Sequence, residues 1–286
     1  MQKLLSLALL ATLVWTARAQ VTVELVLDQE QFLRSESLPV RLRISNFSGQ
    51  TLKMGADRGW LTFSIDNADN KALSRSGEIP MPKPFEIESS KTMSIRADLM
   101  PHFDLSKAGH YTVSARVSVP QLEKEIITDA KKFDIVTGTD LWKREFGVPG
   151  QTPPEVRQYV LQVANFLNKN KLYARITDAS GEKVFRVFPL GLVMSFSSNT
   201  IEAQVDGSSN LHVLFQNYKD TFVYSVIAPD GEQLIRQTHE FAGDSRPHLR
   251  IEDEGRIRVN GGQRRILLSD LPPPRVANTN EISERN

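Results

Sequence analysis

From Val21 the chain alternates apolar and polar residues in short runs. "VTVELVLD" is followed by "LPVRLRISN", where Val40, Leu42 and Ile44 share a parity. "WLTFSID" aligns Leu61, Phe63 and Ile65, and "FEIES", "TMSIRADL", "YTVSARVSV" and "KKFDIV" continue the pattern. Residues two apart lie on one face of a strand, so this spacing predicts half-buried strands. "NFSGQ" and "DNADNK" separate them with Asn, Asp and Gly, which accept turn geometry. About seven such strands over roughly 120 residues predict a β-sandwich spanning 20–137.

The period of two breaks in "TGTDLWKREFGVPGQTPP", where Gly and Pro predict a linker over 138–152. "TPPEVRQYVLQVANFLNKNK" then has helical spacing. Thr152 is placed as an N-cap, Pro153 in the first turn, and Glu155 completes a Thr-x-x-Glu capping box. Val156, Tyr159, Val160, Val163, Phe166 and Leu167 form a stripe at spacings of three and four, expected to pack on the sheet that follows.

Two later passages match. "LYARITDASGEKVFRVFPLG" aligns Tyr173, Ile176, Gly181, Glu182 and Arg186 with Tyr224, Ile227, Gly231, Glu232 and Arg236 of "FVYSVIAPDGEQLIRQTHEFAG". "IEAQVDGSSNLHVLF" continues onto "LRIEDEGRIRVNG", pairing Asp206 with Asp253, Leu211 with Ile257 and Val213 with Val259. A period near 50 residues with strand pairs around Asp-Gly turns is similar to the blades of NHL-type propellers. Two units cannot close a propeller, which needs at least about four blades. The expectation is therefore a helix-capped antiparallel β-domain of two blade-like repeats over 153–271. A polar tail, 272–286, is read as disordered.

The ends and the composition say where the chain goes. Lys3 precedes an apolar run of twelve, Leu4 to Trp15, and Ala17-Arg18-Ala19 has the small-x-small pattern of a cleavage site. Residues 1–19 are read as a signal peptide, too short in its apolar part to span a bilayer. Removing Lys3 and Arg18 leaves 33 basic against 34 acidic residues, a net charge of −1. That balance points to no nucleic acid and no anionic membrane. No later stretch reaches the ~20 apolar residues of a membrane-spanning helix. Export without a single cysteine excludes disulfides and thiol chemistry, and favours a bacterial periplasmic or extracellular protein. Asn46-Phe47-Ser48 is the lone sequon.

"DLSKAGHYTVSARV" places Leu105, Gly109 and Tyr111 ahead of a strand. This resembles the tyrosine corner of Greek-key sandwiches. The first domain is similar to immunoglobulin-like modules of macroglobulin-type and proteinase-inhibitor-like bacterial proteins. The resemblance covers about 115 residues and implies a fold rather than a ligand.

Chemical motifs argue mostly by exclusion. "DGSSN" and "DEGR" lack the spaced carboxylates of a calcium loop and read as hairpin turns. His239-Glu240 and His248 lack zinc-protease spacing, and His102, His110 and His212 are isolated in sequence. No Gly-x-Ser-x-Gly elbow is present, and "GDS" at Gly243–Ser245 lies outside a strand–helix context. Glu252 and Asp253 are adjacent, so on a strand they point to opposite faces. No catalytic residue, metal ligand or cofactor is assigned. Trp60 reads first as the start of a strand packed on the core edge, and Pro80, Pro82 and Pro84 as an extended loop or edge-strand guard. As binding residues the candidates are Trp60, Trp142, Pro80, Pro82 and Pro84. The expected function is non-enzymatic: binding or scaffolding an unidentified protein or glycan at the cell envelope. The alternatives are proteinase inhibition through the proline loop and carbohydrate binding on Trp60 or Trp142.

Overall fold

The computed structural model describes residues 21–150, 152–153, 155–194 and 201–272. The expected signal peptide and the tail beyond Pro272 lie outside the described residues. The chain is mainly β, with several antiparallel sheets. In chain order the strands are β1 (Val21–Leu27), β2 (Gln31–Leu33), β3 (Pro39–Asn46), β4 (Leu52–Met54), β5 (Leu61–Asn67), β6 (Phe85–Ile87) and β7 (Thr92–Asp98). Next come β8 (Gly109–Val119), β9 (Lys124–Ile127), β10 (Lys131–Val136), β11 (Thr139–Gly147), β12 (Val156–Phe166), β13 (Lys169–Asp178) and β14 (Val184–Val193). The last are β15 (Ile201–Val205), β16 (Leu211–Tyr218), β17 (Thr221–Ile227), β18 (Gln233–Glu240), β19 (His248–Ile251), β20 (Ile257–Asn260) and β21 (Gln263–Arg265). Helical geometry among the described residues is confined to single 3-10 turns.

Two compact units emerge. The first holds residues 21–30, 38–104 and 109–134; the second holds 31–37, 105–108 and 135–272. In the first unit β1, β3 and β7 form one sheet, while β10, β8 and β5 are neighbours in another, with β9 also on β8. Period-two patterning decides their buried faces: Val40, Leu42 and Ile44 on β3, and Leu61, Phe63 and Ile65 on β5, are all buried. Tyr111 is buried and its ring stacks on Phe133 at 5.6 Å. Asn46 is fully buried, with Nδ2 donating to the carbonyls of Gln50 and Ile87. The sequon asparagine is therefore a structural group with no room for a glycan.

The second unit corrects the expected helix. Residues 156–178 form the β12–β13 hairpin, paired from Arg157↔Asp178 to Phe166↔Lys169. Leu167 and Asn168 make its two-residue turn, both with positive φ (48° and 61°), the geometry of a tight hairpin. Val156, Tyr159, Val160, Val163 and Phe166 are β-branched or aromatic, the types that favour strands. The helical spacing arose because β12 is buried on both faces. Tyr159 and Leu161 join one core cluster while Ala164 joins another. The expected linker is corrected as well, since 138–152 contains the nine-residue strand β11, paired with β12.

Sheet β11–β12–β13–β14 and sheet β15–β16–β17–β18–β21 each run in sequence order up to β18. They share one apolar core containing Tyr159, Leu161, Ile176, Val213, Phe215 and Ile227. Their other faces are covered separately. Leu33 lies on Ala164, Tyr173 and Val187. The β19–β20 hairpin brings Leu249 and Ile257 onto Leu214, Phe222, Tyr224 and Val226. Coverage of the sheets thus comes from a segment near the N-terminus and a late hairpin, in place of the helix.

The matched passages occupy comparable places. Ile176 and Ile227 face the shared core, whereas Tyr173 and Tyr224 belong to the outer clusters. Gly181 and Gly231 both have positive φ (79° and 87°) in the β13–β14 and β17–β18 loops. The sheets cut each matched passage in two: β13–β14 ends one sheet and β15–β16 begins the next. Hydrogen bonding revises one pairing. Asp206 N donates to Asn210 O as Glu252 N does to Arg256 O, and the positive-φ residues are Ser209 and Gly255. Asp206 therefore corresponds to Glu252, not Asp253.

Candidate binding surface

The first unit brings Trp60 and the proline loop together. After β4 the chain turns through Gly55 to Trp60, where Trp60 N donates to Asp57 O (3.2 Å). Ser118 N donates to Trp60 O (2.7 Å), fixing the tryptophan beside the end of β8. The indole is 3% exposed and meets Phe85 edge-on at 5.7 Å. Trp60 is thus a wall of the core, and a sugar ring finds no open indole face on which to stack. Gly55 has φ of 83°, and a Cβ there would lie 3.3 Å from Pro84 Cα. Two backbones approach at that point, so only glycine satisfies both the angle and the space.

Pro80, Pro82 and Pro84 are exposed, and buried Ile79 anchors the segment. Proline fixes φ and removes a donor, so the loop keeps an extended shape without pairing as a strand. Between it and the 55–61 turn lies a concavity of about 590 Å³, bordered by Asp57, Arg58, Trp60, Arg75, Glu78 and Pro80. Its charges balance, and Arg58 Nη1 stands 3.7 Å from Glu78 Oε1 in solvent. A second concavity of about 450 Å³ opens on the other side of Pro80–Pro82, against β7. Trp142 belongs to the second unit, half-buried on β11 against the shared core. Of the five candidate residues, Trp60, Pro80 and Pro82 border one concavity, Pro84 adjoins Gly55, and Trp142 stands elsewhere.

A polar chain that sequence reading did not find lies in the second unit. Asp206 Oδ2 is 3.1 Å from His212 Nε2, and His212 Nδ1 is 2.7 Å from the Tyr224 hydroxyl. A neutral imidazole protonated at Nε2 satisfies both contacts: Nε2–H donates to Asp206, and Tyr224 O–H donates to Nδ1. Burial, reinforced by the Asp206 charge, pushes the Tyr224 hydroxyl up to about 12. The phenol therefore stays protonated at neutral pH. Burial opposes ionisation of Asp206. Bonds from the Asn210 and His212 side chains and from the Asn210 and Ser208 backbone outweigh it, holding the carboxyl below its ordinary range. The sequence signal was slight: register alone brings His212 diagonally beside Tyr224 across β16 and β17. Nearby His239 is buried, with Nε2 unpaired among the described residues. Burial first, then the Arg264 charge, lowers its pKa. No set of three or more His, Asp or Glu groups suited to a metal occurs among the described residues.

No protein-family model matches the chain, and no curated protein matches it. Among solved structures it is similar to Spo0M, a sporulation control protein from Bacillus subtilis. Identity is 9% and the TM-score 0.27, over 60% of this chain and 91% of that one, a likeness too slight to carry an argument. No helix among the described residues is long and apolar enough to cross a membrane.

Proposed function

We propose that this is an exported, non-enzymatic protein that binds or scaffolds another macromolecule at the cell envelope through the proline-loop surface. In this reading residues 1–19 are a signal peptide, the first unit is an immunoglobulin-like sandwich, and the second carries two blade-like repeats. The observation that carries it is the concavity between the 55–61 turn and Ile79–Pro82, rimmed by exposed prolines. A loop held extended by proline loses little conformational freedom on binding, which favours recognition. The alternating buried faces of β3, β5 and β8 support the sandwich.

Site-directed photocrosslinking tests the reading. A benzoylphenylalanine replacing Lys83, in the proline loop, is expected to give a discrete macromolecular adduct in intact envelopes. The same group at Asp69, an exposed turn of the same unit, is expected to give none. Equal labelling from both positions would overturn the binding site. Turnover of ester, peptide or glycan substrates at enzymatic rates would overturn the non-enzymatic reading.

A further inference from the structure

β7 is an edge strand: among the described residues it pairs with β3 alone, in the order β1–β3–β7. Two bonds fix the phase of that ladder. Asn46 N donates to Lys91 O, and Leu99 N donates to Leu38 O, each at 3.0 Å. Antiparallel partners alternate between bonded and non-bonded pairs. Met93, Ile95 and Ala97 are therefore bonded to β3, and Pro39, which has no N–H, falls opposite Asp98 at a non-bonded pair. The backbone N–H and C=O groups of Thr92, Ser94 and Arg96 point away from β3, along the open edge.

The space beside that edge is the concavity of about 450 Å³, with Pro80, Met81, Pro82 and Phe85 opposite Met93–Arg96. Charge placement says what would fill it. On the solvent face β1 supplies an acid opposite Arg43, namely Glu24, at 3.6 Å. Arg41 bonds Asp28 just beyond β1, at 3.0 Å. Arg96 lies opposite Arg41 in register, is exposed, and pairs with no acid among the described residues. Like charges facing each other across strands are unfavourable. A strand added at β7 would give Arg96 what β1 gives Arg43.

We propose that β7 accepts an extended segment of another protein as an additional strand. The segment places apolar residues beside Met93 and Ile95 and a carboxylate opposite Arg96. Main-chain bonds supply affinity and the alternating side chains supply selectivity. This rests on the binding reading above, since the proline loop forms the far wall.

The probe is a fluorescein-labelled peptide, Thr-Val-Glu-Val-Thr-Val-Glu, compared with its counterpart carrying Lys in place of Glu, by anisotropy against the full chain. The acidic peptide is expected to bind roughly fivefold tighter, the scale of exchanging an attractive cross-strand pair for a repulsive one. Arg96→Glu is expected to reverse the preference. Ser94→Pro removes an outward N–H, leaves the β3 ladder intact, and is expected to abolish binding of both peptides. Circular dichroism checks that each variant folds, and surface Arg96→Glu keeps the test decisive if Ser94→Pro does not. No saturable binding up to about 1 mM, or a preference unmoved by Arg96→Glu, would overturn the proposal. A dimer in sedimentation velocity that Ser94→Pro dissolves would assign the edge to a second copy and also overturn it. If the Lys83 adduct persists in Ser94→Pro, the strand proposal falls while the binding reading stands.

Discussion

Asp206 shows how much a single turn residue organises. Its carboxylate accepts from Ser208 N (2.9 Å), Asn210 N (2.8 Å) and Asn210 Nδ2 (3.0 Å), and reaches His212. The loop it closes is seated on the neighbouring sheet, where the Tyr159 hydroxyl donates to Ser209 O at 3.0 Å. The Asp-Gly pair reads as a turn in sequence, but the partner beyond the turn, His212, depends on strand register. Asp206→Ala strands donors at a partly buried turn and is expected to cost about 1 kcal/mol, measured by urea unfolding at pH 7. The folded carboxyl titrates below its unfolded value, so its contribution is full above about pH 4 and declines as the pH falls through the lower folded value. The gap between wild type and Asp206→Ala is therefore expected to narrow in strong acid. A gap that stays constant would assign the effect to the turn backbone alone.

At the scale of elements, β12 was the position where local signals and the final structure disagreed. Thr152, Pro153 and Glu155 resemble a helix start, and six apolar residues share helical spacing. In the fold, Tyr159, Val160 and Leu161 are consecutive and all buried, which one helix face could not achieve. Two-sided burial erases the period-two signature, so the strand is recognisable only once both covering layers are known. The turn carries a local cost: Leu167 is 76% exposed with φ of 48°, a conformation that disfavours ordinary side chains. Changing Leu167→Asn together with Asn168→Gly matches the residues to the turn. It is expected to stabilise the second unit by about 1 kcal/mol, raising its melting temperature by roughly 2–4 °C. A lower melting temperature would mean that Leu167 packs on something that outweighs its strain.

For the whole molecule, chain order and spatial grouping differ. Gln31–Ser37 falls within the sequence expected to form the first domain, yet it belongs to the second unit. Arg34 N donates to Val136 O (3.2 Å), and Leu33, 1% exposed, covers Ala164, Tyr173 and Val187. A boundary drawn at the Gly- and Pro-rich stretch would strip this cover. Leu33→Ala is expected to destabilise the second unit by about 2–5 kcal/mol through lost burial and the cavity left behind. Differential scanning calorimetry that finds only the first unit's transition lowered would refute this grouping.

The sequence by itself determined the β class and the buried faces of β3, β5 and β8, because period two follows from strand geometry wherever one face is wet. It also marked the Asp-Gly turns and the proline loop, whose backbone angles are local properties. Only the tertiary structure decided that β12 is a strand, that Leu33 covers the second unit, and that Trp60 and Pro80 border one concavity. Those outcomes depend on which faces meet, a non-local property set by burial from both sides rather than by any residue's own preference.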